Sequence, residues 1–143
     1  MALSFHLDIV SAESAIFSGI ATRVVAPTAT GEIGILARHA PLLARLKAGG
    51  VRVALGGVRE GEEEIYFISG GFIEIQPHVV TILADTAVRT QDLDKAAAQA
   101  AMARIEKEMN GGKLANIEYE RLKAELDMMA ALLRAIEHLS KRR

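Results

Sequence analysis

The period of the hydrophobic pattern changes once along the chain, near Ala87, and this change limits the folds that the sequence can adopt. Before it, short apolar segments recur at roughly 8–12-residue intervals and are separated by turn residues, which is typical of β-sandwiches and flattened barrels. After it, two long segments carry apolar residues at helical spacing. The short apolar segments are Ala15–Phe17, Arg23–Ala26, Ile33–Leu36, Val51–Leu55, Ile65–Ser69, Phe72–Ile75 and Val79–Leu83.

Two of the predicted strands have an informative pattern. In residues 4–10, Phe5, Leu7 and Ile9 alternate with other side chains, which predicts a strand with one buried face. The segment Val79–Leu83 is apolar on both faces and is therefore predicted to be a central strand.

Two helices are predicted in the C-terminal part, from Leu93 to Asn110 and from Ile117 to Leu139. Glycines 111 and 112 separate them, so the helices form an antiparallel hairpin. Their apolar stripes are Ala98, Met102, Ile105 and Met109 in the first helix, and Tyr119, Leu122, Leu126, Met129, Leu133 and Ile136 in the second. The predicted fold class is α+β: an N-terminal antiparallel β-sandwich (residues 1–88) followed by a C-terminal antiparallel two-helix hairpin (residues 89–143).

The first helix is rich in alanine, and this composition predicts a weakly held hairpin. A buried alanine contributes much less than the roughly 1.5–3 kcal/mol of a buried leucine. Elements of low stability are those that can move, so the hairpin is predicted to be mobile relative to the sandwich.

The composition argues against several functions. The 143 residues have a net charge of −1 and only 4% aromatic residues, which disfavours general nucleic-acid binding and base stacking. The sequence contains neither an apolar run near 18 residues nor the pattern of a signal peptide at its start, so a soluble protein is predicted. The lack of cysteine is in keeping with a reducing compartment.

The pattern of titratable residues predicts neither catalysis nor metal binding. The four histidines lie far apart in the sequence without metal-ligand spacing, and spacing alone supports no Ser–His–Asp triad. The acidic run Glu60, Glu62, Glu63 and Glu64 is predicted to be a solvated loop, because a hairpin loop lacks the desolvated cleft that acid–base catalysis requires.

The segment Gly31–Leu43 is predicted to form a rigid shoulder on the sandwich. Its glycines allow a sharp turn and Pro41 fixes a second corner. The side chains predicted to point into the core are Ile33, Ile35, Leu36, Leu42 and Leu43. The charged or polar side chains of Glu32, Arg38 and His39 remain outside, so this shoulder is interpreted as an edge presented to another protein.

Several blocks of the sequence, in the same order, resemble the epsilon subunit of bacterial F-type (rotary) ATP synthases. Gly31–Leu43 resembles the family's GE(L/I)GI…HAPLL segment. The further blocks are Phe5–Ser11, Phe17–Gly19, Ser69–Phe72 and Ala84–Ala87. The resemblance covers residues 3–95 well and the C-terminal helices only in pattern.

This resemblance implies a non-catalytic rotor subunit of the central stalk of a proton-translocating ATP synthase, peripheral to the cytoplasmic face of the bacterial inner membrane. Such a subunit couples rotation between the c-ring and the catalytic head and inhibits ATP hydrolysis through its C-terminal helices. The implied partners are the gamma subunit, the c-ring and the catalytic alpha and beta subunits. The complex, rather than this chain, would be the enzyme.

The resemblance also implies which residues meet these partners. The residues implied at the c-ring and the gamma subunit are Glu32, Arg38, His39 and Ser11. The residues implied at gamma and the catalytic head are Leu126, Met129, Leu133 and Arg134. The basic C-terminal end fits an acidic partner surface, although cations also stabilise a helix C-terminus by about 0.3–1 kcal/mol each.

The family's ATP-binding pattern, (I/L)-D-x-x-R-A, is incomplete in this chain. Leu93, Asp94 and Ala98 match it, whereas Ala97 stands at the position of the arginine. Alanine cannot form the charge-assisted bond to phosphate that arginine forms, although Arg104 lies two turns further on. No cofactor is therefore expected, and ATP as a regulatory ligand is disfavoured.

Two other classes of protein remain open. A stand-alone β-sandwich binding module could dimerise through a helical arm, Tyr119–Ile136. A small enzyme could use a pocket between sandwich and hairpin, although the sequence offers it no positioned nucleophile.

Overall fold

The computed structural model describes residues 3–90, 95–111 and 116–141, with side chains described as far as residue 137. In these ranges a β-sheet is followed by two helices, as the change of hydrophobic period predicts. The strands are β1 (Phe5–Val10), β2 (Ala15–Thr28), β3 (Gly31–Leu36), β4 (Leu42–Leu46), β5 (Gly49–Leu55), β6 (Glu63–Ile68), β7 (Gly71–Ile75), β8 (Val79–Ala84) and β9 (Ala87–Arg89). The helices are α1 (Lys95–Asn110) and α2 (Asn116–Lys141).

The strands pair in the order β1-β8-β7-β4-β2-β5-β6-β9, with β3 beside β2 outside this path. The sheet folds back on itself because β2, with 14 residues, pairs with β1 in its first half and with β3 and β5 in its second half. The predicted sandwich is antiparallel, whereas β1 and β8 run parallel. These two strands are far apart in the sequence, so no hairpin turn dictates their relative direction.

The main core lies between the two layers and is built from the inward-facing residues of alternating strands, including Leu7, Ile9, Val24, Ile73 and Ile82. The strand β8 lies between β1 and β7, which confirms the prediction of a central strand. Only one of its apolar faces is buried in this core, since Val79 and Leu83 are exposed on the other.

The predicted inward direction of three leucines is wrong. Leu36 is 62% exposed, Leu43 is 69% exposed and Leu42 is also exposed, whereas Ile35 is fully buried. Successive side chains of a strand point to opposite faces, so Ile35 and Leu36 cannot both enter the core.

The strand β6 contributes to two cores, one on each face. Tyr66 and Ile68 belong to the main core, and Ile65 and Phe67 belong to a second core that the helices complete. This double burial explains the unbroken apolar run of β6. The residues that the helices contribute to the second core are Ala98 of α1 and Ala131, Leu132 and Ala135 of α2.

The helix α2 approaches the sheet closely where both sides have small residues. A Cβ atom placed on Gly50 of β5 would lie 3.4 Å from the Cβ atom of Ala135. The hairpin is therefore packed against the sandwich in this structure, with α2 against β5 and β6.

Candidate partner-binding surfaces

The turn between β3 and β4 is a well-defined corner. Arg38 has a φ of 63°, a left-handed conformation that is uncommon for a residue with a side chain. Its backbone N–H donates a 2.9 Å hydrogen bond to the carbonyl oxygen of Pro77, which holds it in place. The next residue, His39, lies with Nδ1 2.6 Å from the carbonyl oxygen of Ala40. The exposed guanidinium and the half-buried imidazole are thus presented on a constrained backbone.

Glu32 does not share this corner, although the sequence predicts a single shoulder for it and Arg38. It lies near the start of β3, and the corner lies beyond the end of β3. With about 3.3 Å of rise per residue, Glu32 and Leu36 alone are about 13 Å apart. The Glu32 carboxylate forms an ion pair with Arg52 of β5 at 3.3 Å. The structure therefore separates the predicted shoulder into two surfaces.

Ser11 lies at the opposite end of the sandwich from the corner, just after β1. Its backbone N–H donates to the carbonyl oxygen of Ser14 at 2.9 Å, so the segment forms the predicted turn between two strands. Ser11 follows Val10, whose register partner on β8 is Leu83. This position puts Ser11 at the edge of an apolar surface on the outer face of the sheet.

That surface, here called the outer apolar row, consists of Val10, Leu83 and Phe72 on three adjacent strands. Leu83 is 52% exposed and Phe72 is 46% exposed. The guanidinium of Arg45, the register partner of Phe72 on β4, lies 5.8 Å from the ring centroid, a cation–π distance. The apolar residues on both faces of Val79–Leu83 are the signal in the sequence that could have revealed this row.

A polar cluster on the same face brings together a serine, a histidine and an aspartate. Ser18 Oγ donates to Asp8 Oδ1 at 2.7 Å, and His6 Nε2 lies 3.0 Å from the same oxygen and 3.2 Å from Ser18 Oγ. The Ser18 hydroxyl, with His6 assisting, holds the pKa of Asp8 below its usual value. One imidazole nitrogen faces both partners, whereas a catalytic triad has the carboxylate on Nδ1 and the nucleophile on Nε2. The cluster is therefore a surface hydrogen-bond network.

Glu63 and Glu64 belong to β6 and the Glu64 side chain is buried, so the prediction of both as part of a solvated loop is wrong. Oε1 of Glu64 accepts hydrogen bonds from Arg59 at 2.8 Å and from Arg89 at 2.7 Å, and its Oε2 accepts one from the Tyr66 hydroxyl. Burial alone would raise the pKa of Glu64, but the Tyr66 hydroxyl and the two guanidinium groups outweigh it and lower the pKa. Burial and the adjacent carboxylate raise the pKa of Tyr66 well above its usual value. Arg89 is 25 residues from Glu64, so the pair is invisible in the local sequence.

The α2 residues that the family resemblance implies in partner contacts are partly buried in this structure. Met129 and Leu133 pack against the second core, and Leu126 is half-buried. Arg134, one residue further along, is exposed. These apolar side chains would become fully available to a partner only if α2 left the sheet.

The predicted space between sandwich and hairpin exists as an open cavity of about 330 Å³. Its charged lining residues are Lys47, Arg52, Arg134 and Glu32. The Glu32 carboxylate is already paired with Arg52, and the described residues of the lining include no serine, threonine, histidine or cysteine. These described lining residues therefore provide no hydroxyl, thiol or imidazole for nucleophilic catalysis.

Of the residues that match the ATP-binding pattern, Leu93 and Asp94 lie outside the described residues. Ala98 of α1 is buried in the second core, so its methyl group has a packing role there. In the described ranges, no cluster of three potential metal ligands is found. None of the described helices is long and apolar enough to cross a bilayer.

Comparison with known proteins gives a consistent result. Residues 4–90 match the family described as the beta-sandwich domain of the ATP synthase delta/epsilon chain. The chain is 55% identical to the ATP synthase epsilon chain of Thioalkalivibrio sulfidiphilus over 97% of its own length and 96% of that protein. It is 53% identical to that of Nitrosomonas eutropha over 100% and 99% of the two chains.

Two solved structures share the fold at low sequence identity. A chain of Euglena gracilis mitochondrial ATP synthase superposes with a TM-score of 0.81 at 22% identity, over 93% of this chain and 81% of that one. A chain of the Tetrahymena thermophila enzyme gives 0.63 at 13% identity, over 94% and 98%. The family match and the sequence relatives, which align over nearly the full length, place the chain in the ATP synthase epsilon chain family.

Proposed function

We propose that this chain is a rotor subunit of the central stalk of a proton-translocating ATP synthase, where it couples rotation between the c-ring and the catalytic head. The observation that carries the proposal is the alignment with an epsilon chain over 97% of this chain, at 55% sequence identity. An epsilon chain is an accessory subunit of the synthase and not its catalytic subunit. In this role the chain lies peripherally at the cytoplasmic face of the bacterial inner membrane, attached through the complex.

The two ends of the sandwich suit two different partners. The solved structures with the same fold come from ATP synthases, one of them described as a central stalk with its c-ring. The constrained corner of Arg38 and His39 is the proposed contact with the c-ring. The outer apolar row and the adjacent Ser11 are the proposed contact with the gamma subunit, because exposed neighbouring apolar side chains mark interaction surfaces.

A closely packed sandwich is suited to transmitting force between such partners. Protein cores have the density of organic crystals and low compressibility, so a displacement at one end is carried to the other. The continuous hydrogen-bonded path from β1 through β8, β7 and β4 to β2 links the outer apolar row to the strands beside the corner.

The hairpin is the proposed inhibitory element, and its attachment is suited to release. Three of the six buried residues described in the second core are alanines, which contribute little apolar area. To change the ratio of released to packed hairpin from 1:99 to 99:1, a partner must bind the released state about 5.5 kcal/mol more favourably than the packed state. A groove in gamma and the catalytic head that fully buries Leu126, Met129 and Leu133 would contribute to this difference, together with pairing of Arg134 to acidic groups.

A reversible covalent lock tests this release. The chain has no cysteine, and the Cβ positions of residues 50 and 135 are 3.4 Å apart, close to the roughly 3.5–4.5 Å of natural disulfides. The variant Gly50→Cys with Ala135→Cys, assembled into the complete synthase, should hold the hairpin on the sandwich when oxidised. ATP hydrolysis should then rise several-fold and return to its initial rate on reduction.

The single variant Gly50→Cys is the matched control, and its hydrolysis should not respond to the oxidant. Equal rates for the oxidised and the reduced double variant would refute inhibition by the released hairpin. Co-purification of the same locked chain with gamma and the c-ring tests the rotor role separately, since the lock leaves both sandwich surfaces unchanged.

A further inference from the structure

The strand β9 is short and lies at the end of the sheet. It has three residues, and in the described sheet it pairs only with β6, through Ala87, Val88 and Arg89. None of these three side chains is fully buried. A strand of this length with one neighbour has little apolar burial of its own, so its attachment requires another source of stability. It also carries the chain from the sandwich towards α1, which begins at Lys95.

The buried Glu64 carboxylate supplies a bond to this strand. Its side chain is 4% exposed, and Oε1 accepts from Arg89 on β9 at 2.7 Å and from Arg59 before β6 at 2.8 Å. Charge-assisted hydrogen bonds of this length are roughly twice as strong as neutral ones. The second carboxylate oxygen is occupied by the Tyr66 hydroxyl, so Glu64 is held from the core side as well.

We propose that Glu64, Arg59 and Arg89 form an anchor that keeps β9 on the sheet, so that residues 87–90 stay with the sandwich when the hairpin moves, and the two do not part at the predicted domain boundary between residues 88 and 89. The inference rests on the proposed release of the hairpin and deepens it. Thr90 is only 2% exposed, and the match to the sandwich family also extends to residue 90. Without the anchor, residues 87–90 would be added to the connection between the sandwich and α1. At about 3.3 Å per residue, they would lengthen the reach of this connection by about 13 Å.

Hydrogen exchange on the isolated full-length chain tests the anchor. In the variant Arg89→Gln, which leaves Glu64 bonded to Arg59 and Tyr66, the amides of residues 87–90 should exchange at least about tenfold faster, a ratio equivalent to 1.4 kcal/mol. Glu64→Gln should give the same local effect. In Arg89→Gln the core amides of Leu7 and Ile82 should keep their protection. In Glu64→Gln they should lose no more protection than its lower free energy of unfolding accounts for, which in both variants shows that the sandwich is folded.

The matched control is Glu62→Gln, which removes the exposed ion pair of Arg59 with Glu62 and leaves Glu64 intact. Its exchange at residues 87–90 should equal that of the parent chain. If the core amides of Glu64→Gln exchange as in an unfolded chain, that variant cannot report on β9, and the exchange of residues 87–90 in Arg89→Gln alone tests the anchor. Unchanged exchange at residues 87–90 in Arg89→Gln would overturn the anchor. Because this experiment does not involve the synthase, its outcome is independent of the disulfide lock that tests inhibition.

Discussion

At the scale of single residues, Leu83 is an apolar side chain that lies outside the core and is accessible to a partner. It lies on the outer face of a central strand, beside Phe72 and Val10, and is half-exposed. An isolated exposed leucine needs no explanation, but a row across three adjacent strands marks an interaction surface.

Leu83→Glu should therefore abolish or strongly weaken binding to the gamma subunit, because burial of an unpaired carboxylate in an apolar contact costs several kcal/mol. Val58→Glu is the matched control, since Val58 is a fully exposed aliphatic residue in the turn between β5 and β6. Titration calorimetry with purified gamma measures both affinities. If Leu83→Glu binds gamma as tightly as Val58→Glu does, the outer apolar row is not the contact.

Glu64 gives a prediction for the pH dependence of stability. Its pKa is lowered in the folded chain, so its stabilising contribution is fully present above the unfolded value of about 4.3 and is lost as the pH falls through the folded pKa. At pH 7, the free energy of unfolding of Glu64→Gln should be about 1.5–3 kcal/mol lower than that of the parent chain.

This difference should shrink progressively as the pH is lowered below about 4, since the parent carboxyl group then becomes neutral as well. Urea unfolding of both chains at pH 7, 4 and 3 measures it. A difference that stays constant over this range would mean that the Glu64 charge contributes nothing, and that only the geometry of its hydrogen bonds matters.

At the scale of elements, the turn into β7 depends on the close approach of two backbones. Gly71 has a φ of 137°, and a Cβ atom on it would lie 2.0 Å from the carbonyl oxygen of Leu83. This glycine lets β7 begin directly against the end of β8, and so positions Phe72 beside Leu83 in the outer apolar row.

Gly71→Ala should lower the free energy of unfolding by at least about 3 kcal/mol, because it combines backbone strain with a steric clash. Gly34→Ala on β3 is the control, because Gly34 lies in a β-strand with open space at its Cβ position, and its effect should stay within about 0.5 kcal/mol. Urea unfolding compares the two. Equal stability of the variants would contradict the close approach of β7 and β8.

At the scale of the whole molecule, one strand joins the two cores. Ile65 and Phe67 of β6 face the hairpin while Tyr66 and Ile68 face the sandwich. Movement of the hairpin would expose the first pair without opening the main core. With this arrangement, the proposed release of the hairpin would leave the sandwich closed.

The same packing bears on whether the chain dimerises through Tyr119–Ile136. The C-terminal half of that stripe, including Met129 and Leu133, packs against the second core within one chain. A dimer through the arm would have to displace these contacts, so we expect the isolated chain to be a monomer. Sedimentation equilibrium measures its mass, and a stable dimer that dissociates on Leu133→Glu would favour the stand-alone binding module.

The sequence by itself determined that strands precede helices, but it did not predict every strand. The predicted segments Ala15–Phe17 and Arg23–Ala26 form one strand, β2, and neither β4 nor β9 is among the predicted segments. The change from a period of two to a helical period near Ala87 placed the strands before the helices, and the stripe containing Ala98 identified the face of α1 that is buried. These predictions succeed because alternation and helical spacing are local properties, set by which side chains fall on one face of one element.

Only the tertiary structure decided which residues of other elements each face of a strand or helix contacts. It placed Glu64 beside Arg89, set β1 parallel to β8 and paired Glu32 with Arg52 of β5. Each of these features depends on segments that are distant in the sequence, and a local pattern contains no information about the distance or direction of such a neighbour. The register and twist of the folded sheet supply both.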